Sequence, residues 1–416
     1  MRKPILLIAL LILAPGCAEP SARWWKGNTH THTLWSDGDA APEIAAAWYR
    51  ENGYHFLVLS DHNILSRGER WFPILDLPRS RLTSERVDEL IARFGSDCVE
   101  VREVEGQREM RLRTLEELRA DFEEPGVFLF IEGEEITDSF NRLPVHVNGL
   151  NLAELIKPQG GESVHDVMQR NLDAVIAHGR SRDRTTLAHV NHPNFGWGVS
   201  VADIAHLRGE QFFEVYNGHR SVRNHGDTDH PGTEEMWDIA LTMRLTQLNL
   251  GPLFGLATDD AHNYHEIPEG HSNPGRGWIM VRAESLDAEA ILNAMHRGDF
   301  YASSGVILDS IRTDRGTLSI AIRAEPDVAY TTRFLGTRRV EDADGDGHPD
   351  LGIVGEILDE TMANPATYTF AGDEIYVRAV IISSKVHPNP FARGDHEMAW
   401  VQPVVPRSYP EDSSTD

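Results

Sequence analysis

The chain has 416 residues, 40% of them hydrophobic, which is enough for one large domain and a smaller one around a sizeable core. Its 39 Lys and Arg against 65 Asp and Glu give a formal net charge of −26, which argues against a nucleic-acid groove, since phosphate backbones are held by a surplus of cationic side chains. Cys17 and Cys98 are the two cysteines, so no disulfide framework is expected and stability has to come from a core and bound ligands.

Residues 1–17 are read as a targeting segment and set apart from the fold. Arg2 and Lys3 precede an apolar run from Pro4 to Leu13 and the small-residue stretch Ala14-Pro15-Gly16-Cys17. The run is short for a membrane-spanning helix. The segment resembles a bacterial lipoprotein signal, in which Cys17 becomes the lipidated first residue. It departs from that pattern because Leu13 stands four positions before the cysteine instead of three, and ordinary cleavage nearby is the alternative. Either way the protein is expected to be exported, periplasmic or membrane-anchored, touching a membrane only through this terminus.

From residue 22 to 305, strand-like runs alternate with amphipathic helical stretches. Trp24 to His30 leads to a helix opening near Pro42, where proline is tolerated in the first turn. Strands follow at Phe56 to Ser60, Val127 to Ile131 and Pro144 to Leu150, then a helix from Ser163 to Ala177. Further strands are expected at Thr185 to His189, Phe212 to Tyr216 and Leu253 to Ala257, with a helix from Glu234 to Asn249 before the last of these. Trp278 to Arg282, a helix from Asp287 to Arg297 and Phe300 to Ala302 complete the series. Such alternation predicts a parallel α/β architecture, and seven or so units with polar residues at the strand ends suggest a barrel.

Residues 66–125 interrupt the pattern with a charged insertion. Its Glu and Arg alternation, above all from Arg108 to Asp121, predicts an exposed helix in a solvated lobe rather than a cover over the barrel mouth. Cys98 is expected to be inert in a charged helical segment. After Gly305 the texture changes to short alternating strands, predicting a small β-sandwich-like domain over 306–405, and 406–416 read as an acidic disordered tail. Within this part Asp342, Asp344, Asp346 and Asp350 surround Gly347, like a short extracellular calcium loop. The twelfth position, Ile353, is not the Glu of an EF-hand, and a plain acidic turn is the alternative.

The chemistry-bearing residues gather after the strand-like runs. His30 and His32 stand at i and i+2, so in extended chain they share a face and suit one metal. Ser36-Asp37-Gly38, Ser60-Asp61-His62, His192-Pro193-Asn194 and Asp259-Asp260-Ala261-His262 add carboxylates and imidazoles. Each cluster alone has a bland reading as a strand-end turn or a satisfied core histidine. Their repetition at strand ends is what points to a multi-metal hydrolase site. No Gly-x-Ser-x-Gly elbow or phosphate-binding P-loop is present.

With Asn28-Thr29-His30-Thr31-His32, Ser60-Asp61-His62, Gly133-Glu134-Glu135-Ile136-Thr137, His146-Val147-Asn148, Glu214-Val215-Tyr216-Asn217-Gly218, Gly275-Arg276-Gly277-Trp278 and the residues from Gly298 to Gly305 added to these, the chain resembles the PHP superfamily, named for polymerase and histidinol phosphatase. The resemblance is closest to its CehA/McbA-like metallohydrolases and covers Gly27 to about Gly305. It implies a distorted seven-stranded β/α barrel with two or three divalent ions, zinc, manganese or iron. It implies that His30, His32 and Asp260 hold the first ion, that Glu135 bridges to a second completed by His146 and His192, and that Asp37, His62 and His262 hold a third. Glu135 is preferred to Glu134, and His192 to His189, on the family pattern. Asp61 and Asp259, each next to an implied ligand, are expected to orient rather than ligate. Arg276 is carried over with its motif as a catalytic residue. His219, after a strand end, is the candidate proton donor to a leaving group, with a surface role as the alternative.

These residues predict a metal-dependent hydrolase of small-molecule phosphate mono- or diesters. Hydrolysis of a carbamate, ester or amide is the alternative within enzymes, because the same ligands serve attack on carbonyl carbon. An exported metal-containing binding protein is the alternative outside them.

Overall fold

The computed structural model describes residues 22–267, 270–341 and 350–406. Cys17, the tail from 407 and three members of the calcium loop, Asp342, Asp344 and Asp346, lie outside the described residues. In chain order the first part runs β1 (Arg23–Asn28), α1 (Pro42–Glu51) and β2 (Phe56–Leu59). The insertion follows with β3 (Trp71–Pro73), α2 (Ser84–Phe94), β4 (Val101–Val104), β5 (Gln107–Arg111) and α3 (Leu115–Phe122). Then come β6 (Leu129–Phe140), β7 (Leu143–Leu150), α4 (Val164–Arg182), β8 (Leu187–Val190), α5 (Val201–Ala205), β9 (Phe212–Asn217), α6 (Thr233–Thr246) and β10 (Phe254–Thr258). β11 (Trp278–Ala283), α7 (Ala288–His296) and β12 (Phe300–Ser303) lead to the all-β part. That part comprises β13 (Leu308–Thr313), β14 (Thr317–Ile322), β15 (Tyr330–Val340), β16 (Asp350–Leu351), β17 (Glu356–Thr361), β18 (Ala366–Thr369), β19 (Glu374–Val386) and β20 (His396–Val404).

The fold is mixed α/β rather than parallel α/β. Among the described strands, parallel ladders join β1–β2, β2–β6, β8–β9 and β9–β10 alone. β6, β7 and β8 pair antiparallel, as do β1, β11 and β12. The cause lies in the connections. β6 and β7 are joined by Asn141 and Arg142 alone, both left-handed at φ 50° and 71°, which is a two-residue hairpin turn and permits only an antiparallel return.

The main sheet follows the order β10-β9-β8-β7-β6-β2-β1-β11-β12-β20-β19-β15-β16. No strand ladder closes it, but the segments that leave β1 and β10 meet. Thr31 and Ala261 form a parallel bridge; His32 N donates to Ala261 O at 3.0 Å and Asp260 N to His30 O at 3.0 Å. The sheet curls so that its C-terminal strand ends converge. Its interior is filled by Phe56, Val58, Ile131, Leu187, Leu256 and Ile279, all buried.

The insertion is not a solvated helix. Val101 to Arg111 form a hairpin over a turn at Glu105 and Gly106, both at positive φ, so the charge alternation of Arg108-Glu109-Met110-Arg111 has the period of a strand. Of the stretch from Arg108 to Asp121 only the part within Leu115–Phe122 is helical, started by a reciprocal capping box between Thr114 and Glu117. The lobe has its own core of Ile74, Leu82, Val87, Leu90, Met110 and Leu112, shared with Leu34 and Trp35. Trp35 Nε1 donates to Arg113 O at 2.9 Å, and Arg81 Nη1 donates to Ser36 O at 2.6 Å. The lobe therefore clasps the loop that carries Asp37. Cys98 ends a short 3₁₀ turn, Ser96–Cys98.

Beyond Gly305, β13, β14 and β18 form a separate sheet. It shares a core of Leu318, Ile320, Phe334, Val377 and Ala379 with the strands of the main sheet. β20 pairs with β12 through Tyr301 and Val401, so the all-β part continues the main sheet. No helix among the described residues is long and apolar enough to cross a membrane.

A buried ion pair fastens the two parts. Arg378 on β19, fully buried, donates from Nε and Nη2 to the Asp238 carboxylate on α6 at 2.7 and 2.6 Å, and Tyr376 OH donates to Asp238 at 2.8 Å. Removing one partner strands the other in a dry interior. Asp238→Ala is expected to lower unfolding free energy by about 3–5 kcal/mol in chemical denaturation. Replacing both partners by apolar residues, Asp238→Leu with Arg378→Met, is expected to recover a large part of it.

Candidate metal centre

His30 and His32 leave β1 in extended chain, and their Nε2 atoms stand 3.1 Å apart. The next loop turns sharply: Ser36 N and Gly38 N both donate to Thr33 O. A Cβ on Gly38 would lie 2.6 Å from His32 O, so only glycine lets the chain return close enough to present Asp37. Asp61 fixes the turn from below, accepting from Thr33 N, Thr33 Oγ1 and Ser36 Oγ at 2.8, 2.8 and 2.6 Å. His62, one residue on, bridges to Glu135 of β6.

Along β6 successive side chains take opposite faces. Glu134 points away and accepts from Ile156 N at 2.6 Å, with burial pushing its carboxyl up to about 7. Glu135 enters the cluster. Its Oε1 stands 3.0 Å from His146 Nδ1 and 3.2 Å from His192 Nε2, and its Oε2 stands 2.7 Å from His62 Nδ1. His192 and Asp260 follow β8 and β10 at φ 24° and 47°; left-handed backbone at non-glycine residues is strain that surrounding contacts hold in place. His262 Nδ1 donates to Asp260 O at 2.8 Å, which leaves Nε2 facing Asp37 Oδ1 at 3.2 Å.

The structure thus gathers all nine residues named above as candidate ligands into four overlapping groups, in each of which the ligand-type atoms lie within 4.8 Å of one another. These are His32, Asp37, His62 and His262; His30, His32 and Glu135; His30, His192 and Asp260; and His62, Glu135 and His146.

The donor set fits divalent cations. His30 Nδ1 donates to Glu214 Oε1 at 2.7 Å, so its Nε2 carries a lone pair. That lone pair faces His32 Nε2, Asp260 Oδ1 at 3.4 Å and Glu135 Oε1 at 3.5 Å. Glu135 Oε2 is buried and makes no hydrogen bond, despite its closeness to His62. Converging acceptors repel one another unless positive charge stands between them. Without an ion a proton takes its place: burial alone would lower His30, yet Asp260, Glu214 and Glu135 raise it well above the usual imidazole range, so a cation has to displace that proton to reach Nε2. Burial alone would raise Asp260 and Glu135, yet the histidines hold both well below the usual carboxylate range. His32, buried beside His262 and His62, is pushed down to about 3 and stays neutral.

Glu214, which the sequence motif contains without a role, is the central supporting residue. Fully buried, it accepts from His30 Nδ1 and Thr258 Oγ1 through Oε1, and from His192 N and Asn217 Nδ2 through Oε2 at 2.7 and 2.8 Å. A lone acid in the run Phe212-Phe213-Glu214-Val215-Tyr216 is the signal that marks it. Asn191 donates to Glu135 Oε1 at 2.8 Å. His189 is buried beside His30 with neither ring nitrogen hydrogen-bonded, outside the four groups.

The two residues expected to be catalytic separate. His219 is half-buried at the cluster's edge, its ring centroid 5.0 Å from that of His262. Its Nδ1 accepts from Ser221 N at 3.2 Å, leaving Nε2 as a donor. Arg276 is not a group of the site. Its fully buried guanidinium donates to the carbonyls of Gly218, His271 and Asn389 and to the side chains of Asn273 and Asn389, so its N–H groups are spent on fastening loops together. Asp259 holds the same turn by accepting from Gly275 N, Arg276 N, Gly277 N and Tyr49 OH.

No family model and no curated protein matches the chain. Among solved structures it is similar to a two-domain protein containing a predicted PHP-like metal-dependent phosphoesterase from Bacteroides vulgatus, at 14% identity over 92% of this chain and 96% of that one, with a TM-score of 0.39. It is also similar to an amidohydrolase from Chromobacterium violaceum with bound sulfate and no metal, at 14% identity over 57% of this chain and 87% of that one, with a TM-score of 0.29. Likenesses of this degree carry no functional weight beside the geometry.

Glu214→Gln keeps the size of the side chain but removes the charge that fixes the His30 tautomer. It is expected to weaken metal binding about 10–100-fold, read by competition with a chelating dye, and to leave the circular dichroism spectrum unchanged.

Proposed function

We propose that this chain is a metal-dependent hydrolase of the PHP kind, cleaving phosphate mono- or diesters. The observation that carries the reading is the convergence of nine imidazole and carboxylate side chains at one end of one curled sheet, with Glu135 Oε2 buried and without a hydrogen bond among them. The seven strands from β10 to β1 are then the distorted barrel of that family. The leader ending at Cys17 makes the enzyme an exported one.

When bound, divalent cations supply Lewis acidity and lower the pKa of water. His30, His32, Asp260, Glu135, His146 and His192 would hold two of them, and Asp37, His62 and His262 a third. Glu214 and Asn217 orient that set from behind, and the burial of His30, His32 and Glu135 excludes bulk solvent from it. Asp37, with its side chain 54% exposed, marks the side open to substrate. His219, at the same edge, is pushed down to about 4 by burial and stays neutral, so its Nε2–H would donate a hydrogen bond to the leaving-group oxygen.

The test is metal analysis of chelator-free protein beside turnover of an aryl phosphate monoester, an aryl phosphodiester and an aryl carbamate. Two or three ions per chain and phosphoester turnover are expected. His32→Ala and Asp260→Ala are each expected to cost about 10³-fold or more, the scale of losing several kcal/mol of charge stabilisation. Carbamate turnover with phosphoesters untouched would assign the site to carbonyl chemistry instead. No turnover by fully loaded protein would make it a binding site.

A further inference from the structure

The pole opposite the candidate metal centre is built differently from the rest of the surface. Trp24 and Phe254 stand near the starts of β1 and β10, each six residues before His30 and Asp260, which at 3.3 Å per strand residue is about 20 Å away. A cavity of about 870 Å³ opens there, walled by Phe254, Phe300, Ile311 and Val401, with Arg282 and Arg312 on its rim. Both arginines are exposed, and neither has a carboxylate partner among the described residues. The neighbouring acids are engaged elsewhere: Asp299 pairs with Arg297 at 2.9 Å and Asp309 with Arg323 at 2.8 Å. Glu284, exposed in the adjoining depression beside Arg282, is the acid left over. In a chain of net charge −26, exposed guanidinium groups without a carboxylate partner, over a hollow of mixed polar and apolar lining, stand out from the prevailing surface.

The chain also enters the fold at this pole. Ala22, the first described residue, lines the depressions beside Arg282 and Arg312. Cys17 lies five residues earlier, a reach of at most about 17 Å. A lipid on Cys17 would hold this pole close to the bilayer.

We propose that this pole is a membrane-docking face, on which Arg282 and Arg312 grip the phosphates of anionic phospholipids and the hollow between them takes up the adjoining glycerol and acyl carbon. The proposal rests on the exported, Cys17-anchored reading and is independent of which bond the centre hydrolyses. Guanidinium groups bind phosphate oxygens in a paired fork, and basic residues next to a membrane anchor are drawn to anionic lipid. The acidic remainder of the surface is repelled by the same lipid. Together these forces orient the tethered molecule with Asp37 and the mouth of the metal centre facing away from the bilayer.

The experiment uses the full chain produced with its own leader, in a Cys98→Ser background. Intact mass and detergent-phase partition report lipid on Cys17. A polarity-sensitive fluorophore is placed at Val405→Cys, an exposed position on the cavity rim, or at Arg142→Cys, on the β6–β7 turn beyond Glu135. The protein is then reconstituted on vesicles of phosphatidylcholine with or without phosphatidylglycerol. The Val405→Cys label is expected to shift to the blue on phosphatidylglycerol vesicles and to lose that shift when Arg282→Glu and Arg312→Glu are added. Arg282→Gln with Arg312→Gln gives the same readout if charge reversal impairs folding. The Arg142→Cys label is expected to stay water-like. A water-like label at Val405→Cys on lipidated, vesicle-bound protein would overturn the docking face and leave the anchor standing. An equal shift on phosphatidylcholine alone would overturn the selection of anionic lipid, since phosphatidylcholine also carries a phosphate but no net charge. An unmodified Cys17 would overturn the proposal at its premise. Phosphoester turnover, unaffected in every one of these variants, is tested separately.

Discussion

The Glu135 carboxylate is the constraint on which the candidate centre depends. It is fully buried halfway along β6, where an isolated ionised carboxylate would cost several kcal/mol. Asn191 donates to one oxygen, and His146, His192, His62 and His32 surround the pair at 2.7 to 3.4 Å. Each of these partners comes from a different stretch of chain: His32 beyond β1, His62 beyond β2, His146 on β7, Asn191 and His192 beyond β8. One side chain therefore fixes how far the sheet must curl. Strands that failed to bring those ends together would leave Glu135 charged in a dry interior, so the electrostatic demand of the site and the shape of the fold are one requirement.

Supporting carboxylates repeat this logic one layer out. Asp61 holds the turn that presents Asp37, Glu214 holds His30 and the backbone of His192, and Asp259 holds the 275–277 turn. None of the three is exposed by more than 1%, and each accepts several hydrogen bonds from stretches of chain other than its own. The left-handed backbone at His192 and Asp260 persists because these bonds over-determine it. His192 N is held by Glu214 and Asp260 N by His30 O, so strain and support share atoms.

How much of this was legible in the sequence depended on whether burial left an apolar pattern. β2, β8, β9 and β10 are buried on every residue and stand out as apolar runs whose ends point to the ligands. β6 does not. An expected strand of Val127 to Ile131 is in fact Leu129–Phe140, because Glu132, Glu134, Glu135 and Asp138 interrupt the hydrophobic signal where the strand does its chemical work. β15 and β17 leave no clear apolar run for a related reason. Arg333, Arg338 and Arg339 alternate with buried Phe334 and Thr337, and Arg333 is answered across the ladder by Glu360 at 2.6 Å, a pairing invisible until the strands are adjacent. The insertion was misread because charge alternation alone does not distinguish a strand from a helix face; the turn at Glu105-Gly106 decides it. Arg276 shows the limit of carrying a motif by position: the motif is present, but its guanidinium is enclosed by backbone carbonyls.

The acidity of the chain has its physical place once the centre is assembled. Of the nine candidate ligands only Asp37, Glu135 and Asp260 are carboxylates, set against six imidazoles, so the net charge of −26 is carried by the surface and not by the site. With two or three dications bound the centre would be locally positive within an acidic shell. An anionic substrate of the proposed kind would meet a repulsive field at long range, screened over about 8 Å at physiological ionic strength, and an attractive one only near the mouth. The surface therefore does not steer the substrate to the centre. On the proposed reading, capture would have to come from the short-range field of bound cations and their ligands, and the tight, buried geometry around Glu135 would serve recognition as well as chemistry.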